Sequence, residues 1–416
     1  FGQIRRSNWL ITNWYRPQAY YDSGSWRATW SGEGGGVLLN QCPHNLDLWQ
    51  WICGIPVKVF SKNINGCHRN IGVENDVTML VEFANGATGT FTTCTHDAIG
   101  TDRLEIDLDA ICSNYRALRA AAGGSPALAV VKADAYGHGA VQVSHLLQDC
   151  GADYLAVSCL DEALELRRGG ITMPILILGH TPPEYTSVLI ENRITQTVSC
   201  YAKALEYSTA ATALGAVLKI HIKLDTGMSR LGFLCAGEYF DEGVQNVIDA
   251  CRLPGLEPEG VYTHFAVSDE EGEENEQYTR EQFSLFLAVI DAVNERGGVA
   301  FRIRHCANSG AVVNYPEMAL DMVRPGLLLY GYGDGTGRLG LRPCMRLVTT
   351  VSTIKLYEPG TCVSYGRRFT TERRTRMGVL AIGYADGLPR LISNKCSFAA
   401  RGGFAPQRGS ICMDMC

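Results

Sequence analysis

Between residues 105 and 335, short apolar runs of strand length alternate eight times with amphipathic helical stretches, and few folds accept that rhythm. The runs are ALAVVK (127–132), YLAVS (154–158), PILILG (174–179), TQTVS (195–199), VLKIHIKLD (217–225), GVYTHF (260–265), FRIRHC (301–306) and MVRPGL (322–327). Helical segments such as AVQVSHLLQDC and TREQFSLFLAVIDAVNERG lie between them. Eight strands with helical connections over about 230 residues predict one (β/α)8 TIM barrel. After residue 335 the helical pattern stops, and short strands with Gly and Pro turns predict a small, mainly β domain over 336–416. Residues 1–104 differ again. They hold all six tryptophans, one helix near 45–52 and a strand meander with an Asn85-Gly86 hairpin turn, an α+β texture.

In a barrel of this kind, chemistry sits at the C-terminal ends of the strands. Those ends carry Lys132 on the first strand, Lys223 on the fifth, His264 on the sixth, Asn308 and Ser309 on the seventh and Arg324 on the eighth. In LKIHIKL, the period of two sends Lys219, His221 and Lys223 into the barrel and the apolar set outward against the helices. A lysine among cations and partly removed from water has a lowered pKa. It can serve as nucleophile and base, and a Schiff base with pyridoxal phosphate is the usual employment. The DAYGHG that follows Lys132 adds glycines for close backbone approach and Tyr136 as a phosphate partner. Taken singly, these residues have plainer readings: Lys132 a surface lysine closing a strand, His264 a satisfied core histidine, Tyr365 a strand aromatic. Their joint occurrence carries the functional reading.

Bulk properties exclude some classes. A formal net charge of -6 without a basic patch argues against nucleic acid as a partner. No apolar run reaches membrane-spanning length. The 16 cysteines are scattered without a C-x-x-C pair, which predicts reduced thiols in a cytoplasmic protein rather than a disulfide framework or a metal site. Cys412 and Cys416 are close in sequence but have no histidine nearby. The chain opens on Phe1, so its true N-terminus is read as lying upstream.

VVKADAYGHG strongly resembles the cofactor-lysine motif of alanine racemases, fold-type III pyridoxal phosphate enzymes. The likeness continues in order through KLDTGMSRLG, GVYTHFAVSDE, HCANSGAVV, VRPGLLLYG, VSYG, AIGYADG and RGSICMDM, and so covers residues 105–416. This resemblance implies interconversion of L- and D-alanine for cell-wall synthesis, pyridoxal 5'-phosphate as cofactor, and a homodimer with shared sites. It implies that Lys132 holds the cofactor and is one catalytic base, with Tyr365, contributed by the partner subunit, as the other. Arg324 would face the pyridine nitrogen and hydrogen-bond His264. Arg230 would contact the phenolic oxygen and the substrate carboxylate, positioned by a carbamylated Lys223. Tyr136, Asn308, Ser309, Gly326 and Leu327 would surround the phosphate, and Tyr384 and Met413 would line the substrate side. The family continues beyond ICMDM with further strands and a phosphate-contacting tyrosine, so the β domain is expected to be truncated, with unpaired edges.

Residues 1–104 resemble a fragment of the C-terminal domain of the glucose–fructose oxidoreductase and inositol dehydrogenase family, through WYRPQAYYDSGSWRATWSGEGGGVLLNQCPHNLDLWQWICGIP. There, His44 is either a proton-transfer remnant or a structural residue opening a helix. GEGGGV is expected to lead into a strand, VLLN, and so is not a phosphate loop. The fragment lacks a nucleotide-binding half and meets the barrel without a linker at GTDRLEIDLDAI. Its half sheet is expected to expose Trp26, Trp30, Trp49 and Trp51. Two alternatives to the racemase remain: an NAD(P)-dependent sugar or polyol oxidoreductase, and a barrel that binds pyridoxal phosphate without racemising.

Overall fold

A computed structural model of the chain describes residues 6–11, 16–96, 103–400 and 403–416. The chain forms two compact units, residues 105–346 in one and residues 1–104 with 347–416 in the other.

The first unit is built on a parallel sheet whose strands lie side by side in chain order: Leu128–Val130, Tyr154–Val157, Ile175–Ile177, Ile194–Val198, Leu218–Asp225, Leu256–Tyr262 and Ile303–His305. The eighth run closes it. Val323 bridges Ala127 in parallel, and the Leu128 N–H donates to the Val323 carbonyl at 2.8 Å. On the other side, the Arg324 N–H donates to the Ala307 carbonyl at 2.9 Å. The strand expected at 322–327 is thus reduced to a single bridge, because Pro325 has no N–H with which to extend the ladder.

Period-two alternation sorts the side chains. Leu218, Ile220, Ile222 and Leu224 are buried in the large core that also includes Val143, Leu147 and Leu166 of the helices. Leu128, Val130, Tyr154, Ala156, Leu176 and Met322 form a separate cluster within the barrel, where His221 and Lys223 are also buried. The helices Ala140–Asp149 and Glu273–Gly297 fall where the amphipathic pattern places them.

Two sequence expectations fail here. Lys132 does not end the first strand but lies two residues beyond its last residue, Val130, at the head of a turn. Cys112 and Cys150 form a disulfide with Cα atoms 6.4 Å apart. Cys112 lies on the helix Leu108–Ala121 and Cys150 caps the helix Ala140–Asp149. A separation of 38 residues carries no local signal for a pair that only helix packing brings together.

In the second unit, strands Arg6–Ile11, Thr88–Cys94, Glu74–Phe83 and Pro56–Asn65 make a four-stranded sheet in that spatial order, with the first pair parallel and the others antiparallel. Asn85-Gly86 turns the hairpin as expected, with Gly86 at φ 79°. The helix Pro43–Cys53 covers the sheet through Trp49, which packs with Val77, Val81, Phe83 and Phe91. Trp49 is therefore buried, contrary to expectation, whereas Trp26, Trp30 and Trp51 are exposed. VLLN is a helical turn, Val37–Asn40, and not a strand. Winding the four residues sends Val37 into the core. Gly36 before it lies so close to Glu74 that a Cβ would stand 1.8 Å from the Glu74 carbonyl oxygen. Of the join GTDRLEI, residues 100–102 lie outside the described residues, and Arg103–Ile106 is a strand.

Residues 347–416 form two-stranded ribbons: Val351–Tyr357 with Thr375–Leu380, Cys362–Val363 with Phe369–Thr370, and Ser397–Ala400 with Gly403–Pro406. Ile382, Leu388 and Ile411 make a small core beside them. Among the described residues, no helix is long and apolar enough to cross a membrane.

Candidate active site

After Val130 the chain enters a rare conformation. Ala133, Asp134, Ala135 and Tyr136 all have φ between 52° and 55°, a left-handed turn. Each such L-residue costs roughly 1–2 kcal/mol, so the surroundings must hold it. They do so by hydrogen bonds: Glu162 accepts from the Ala133 N–H at 2.8 Å, and Asp134 accepts from the Ala140 N–H at 2.6 Å. Strain of this kind gathers at functional sites. Here it places half-buried Lys132 and Tyr136 on successive parts of one turn at the strand ends.

Tyr136, Ser309 and Gly326 come together. The Gly326 N–H donates to Ser309 Oγ at 2.9 Å, and a Cβ on Gly326 would lie 2.9 Å from the Tyr136 hydroxyl. Asn308 caps the helix Ser309–Asn314 by accepting from the Ala311 N–H, and it also accepts from Ser268 at 2.6 Å. Leu327 opens the next short helical turn and is partly exposed. Two hydroxyls and a backbone N–H around a glycine form a cradle suited to a phosphate.

Arg324 is buried, and both terminal nitrogens of its guanidinium are hydrogen-bonded. It donates to the carbonyls of Thr263 (2.6 Å), His305 (2.8 Å) and Cys306 (3.0 Å). Its guanidinium also lies 3.1 Å from His305 Nδ1 and 3.4 Å from His264 Nδ1, the expected contact. Burial next to this cation pushes the His264 pKa down to about 3, and His305 and the buried His221 beside it are held low for the same reasons. These imidazoles are therefore neutral acceptors at neutral pH. The His221–His305 contact of 2.9 Å continues the chain of rings toward Glu259. Sequence reading missed His305 and Tyr262 as supports for Arg324. His305 precedes Cys306 in FRIRHC, and only its inward register would have flagged it.

Lys223 is also buried. Loss of water, then the charges of Arg230 and Arg324, lower its pKa to about 8, with Lys132 adding to the effect. Arg230 is exposed on the turn after the fifth strand, where Asp225 accepts from the N–H groups of Gly227 and Ser229. Lys132, Lys223, Arg230 and Arg324 thus share one mouth. Four cations, with the nearby carboxylate of Asp225 engaged by the turn, suit an anionic ligand bearing phosphate and carboxylate groups.

The chain is similar in sequence and fold to known proteins. Residues 106–334 match the family profile of the alanine racemase N-terminal domain, and residues 344–416 match that of the alanine racemase C-terminal domain. The chain belongs to the alanine racemase family. It is accordingly an amino-acid racemase, an isomerase. It is 43% identical over 317 residues to the alanine racemase of Clostridium tetani, covering 75% of this chain and 80% of that one. It is 44% identical over 316 residues to the Clostridium perfringens enzyme, with the same shares. Among solved structures, alanine racemase from Clostridium difficile 630 aligns with a TM-score of 0.69 at 38% identity, over 76% of this chain and 81% of that one. The enzyme of a D-cycloserine-producing Streptomyces lavendulae aligns with a TM-score of 0.70 at 37% identity, over 76% and 82%. Residues 1–110 match the GFO/IDH/MocA C-terminal domain.

The remaining residues expected from the racemase likeness lie in the second unit. Tyr365 opens a short helical turn, and its side chain is 70% exposed. Its carbonyl accepts from Ser410 at 2.7 Å. Tyr384 and Met413 lie on adjoining segments: the Tyr384 N–H donates to the Cys412 carbonyl and the Ala385 N–H to that of Met413, both at 2.9 Å. A Cβ on Gly383 would stand 2.3 Å from the Met413 carbonyl oxygen, so the close approach requires glycine. Residues 410–413 thereby gather the Tyr365 and Tyr384 segments and Met413. His44 is exposed at the start of the helix Pro43–Cys53.

Proposed function

We propose that the chain interconverts L- and D-alanine with pyridoxal 5'-phosphate, acting in the cytoplasm as a homodimer and supplying D-alanine for cell-wall synthesis. The observation that carries this reading is the cationic mouth, with Lys132 on its strained turn next to the Tyr136–Ser309–Gly326 cradle. The cradle fits the cofactor's phosphate, since a side chain at 326 would occupy the space between the two hydroxyls. Asn308 and the backbone at Leu327 complete its rim. When bound, the cofactor withdraws electrons from the substrate Cα and so acidifies its proton.

The chain's own residues do the rest. Lys132 carries the cofactor and moves a proton on one face of the substrate Cα. Tyr365, supplied by the partner subunit, moves a proton on the opposite face. Two bases on opposite faces invert the centre, because removal on one side and return on the other exchanges the hands. Arg324 faces the pyridine nitrogen, and neutral His264 accepts from it. As a permanent cation, Arg324 disfavours protonation of that nitrogen and limits delocalisation of charge into the ring. Arg230 binds the phenolic oxygen and the substrate carboxylate. Lys223, as a carbamate, turns a repelling cation into an anion that positions Arg230. Tyr384 and Met413 line the substrate side. The chain divides by role into an oxidoreductase-domain fragment (1–104), the barrel (105–335) and the β domain (336–416).

Borohydride treatment of the protein with pyridoxal phosphate should fix the label on Lys132, identified by peptide mapping. Labelling of another lysine, or undiminished labelling of Lys132→Ala, rejects the assignment.

A further inference from the structure

The racemase reading makes no use of a cluster in the four-stranded unit, where Cys67, His68 and His96 converge. Their sulfur and ring-nitrogen ligand atoms all lie within 4.8 Å of one another. Cys67 Sγ is 3.9 Å from His96 Nε2, and the two imidazole rings are 5.2 Å apart. From this geometry we infer a zinc site formed by Cys67, His68 and His96, with the Asp76 carboxylate beside His96 available for the fourth position.

The scaffold holds these groups in place. Buried Asn75 grips Cys67 from both sides, accepting from its N–H at 2.6 Å and donating to its carbonyl at 2.9 Å. His68 follows in the left-handed region, φ 53°, in a turn closed by the Arg69 N–H donating to the Gly66 carbonyl at 3.0 Å. His96 lies two residues beyond the strand Thr88–Cys94. The Thr95 N–H donates to the Asn75 carbonyl at 3.0 Å, so one residue anchors both sides of the cluster. Asp76, on the strand Glu74–Phe83, places Oδ2 3.6 Å from His96 Nε2.

Zinc–sulfur bonds of about 2.3 Å and zinc–nitrogen bonds of about 2.0–2.1 Å in a tetrahedron set sulfur and nitrogen ligands roughly 3.6 Å apart. The observed 3.9 Å needs only a small adjustment, and the wider separations need a side-chain rotation that exposed His68 can make. One thiolate with two imidazoles is a donor set that selects zinc over magnesium or calcium. The metal would tie the turn at 66–69 to the end of a strand almost 30 residues later, in a part of the chain with a small core. The binding equilibrium would then add to its stability.

The test uses the full chain, stripped with chelator and titrated with zinc(II), and separately with cobalt(II) as a spectroscopic substitute. One equivalent of zinc should bind. Cobalt should give visible tetrahedral bands together with a thiolate-to-metal charge-transfer band. Cys67→Ser should abolish the charge-transfer band, while Cys200→Ser, at an exposed cysteine elsewhere, should keep it. His68→Ala removes a surface side chain, leaves the sheet intact by circular dichroism, and should weaken zinc by about tenfold or more. Zinc affinity unchanged in His68→Ala, or a charge-transfer band that persists in Cys67→Ser, overturns the site. An octahedral cobalt spectrum without the band also overturns it, leaving His96 and Asp76 as an ordinary ion pair.

Discussion

In the proposed function Tyr365 acts through its phenolic hydroxyl. Replacing it with phenylalanine leaves the aromatic ring and removes the proton-transfer group. Racemisation should therefore fall by about 10²–10⁴, while cofactor binding, followed by visible absorbance, stays near wild type. Equal activity of the two proteins would sink the two-base reading. Lys223 makes a different kind of prediction. Its pKa is about 8 in the folded chain against about 10.5 unfolded. Between those values the unfolded state binds more protons, so stability rises with pH across that window, and below about pH 8 the full cost of a buried cation remains. In carbon dioxide-free buffer, the stability advantage of Lys223→Met over wild type should shrink from pH 8 to pH 10. A pH-independent difference by denaturant unfolding would reject the shift. At Gly326, an added methyl would crowd the Tyr136 hydroxyl at 2.9 Å. Overpacking of roughly 1–3 kcal/mol predicts that Gly326→Ala binds pyridoxal phosphate about tenfold to a hundredfold more weakly, with the fold retained.

At the scale of elements, the fifth strand was the most legible. Alternation in LKIHIKL assigned Lys219, His221 and Lys223 inward and Ile220 and Ile222 outward; His221 and Lys223 are buried, whereas Lys219 is part-exposed and pairs with Glu259. The first strand was less legible, because apolar VV running into Lys132 gives no sign that the chain turns left-handed one residue later. That turn is held by Glu162 and Asp134, so its energy is non-local. Exposed Ala133 has φ 52° without needing its Cβ for packing. Ala133→Gly should accordingly raise stability by about 0.5–1 kcal/mol, the relief of left-handed strain less glycine's added chain entropy. Thermal unfolding checks the sign, and a loss of that size would show that the turn is not strained. VLLN is the opposite failure. Four apolar or small polar residues after glycines satisfy either a strand or a helical turn, and the closeness of Gly36 to Glu74 decides the outcome.

For the whole molecule, residues 1–104 lie outside the racemase likeness, and the site residues from Lys132 to Leu327 all come from the barrel unit. Deleting residues 1–100 should leave pyridoxal phosphate binding unchanged, as measured by titration of visible absorbance. Nicotinamide binding by the intact chain, lost in His44→Ala, would show instead that this part is a working module.

The sequence by itself determined the barrel, the family and the identity of the cations at its mouth, because strand alternation and contiguous motifs are local patterns that survive in one dimension. Tertiary structure alone decided the Cys112–Cys150 disulfide, the rings of His305 and Tyr262 around Arg324, the burial of Trp49 and the meeting of Cys67 with His96. Each of these depends on which distant segments pack side by side. A contact between residues tens of positions apart leaves no period or spacing in the chain to read.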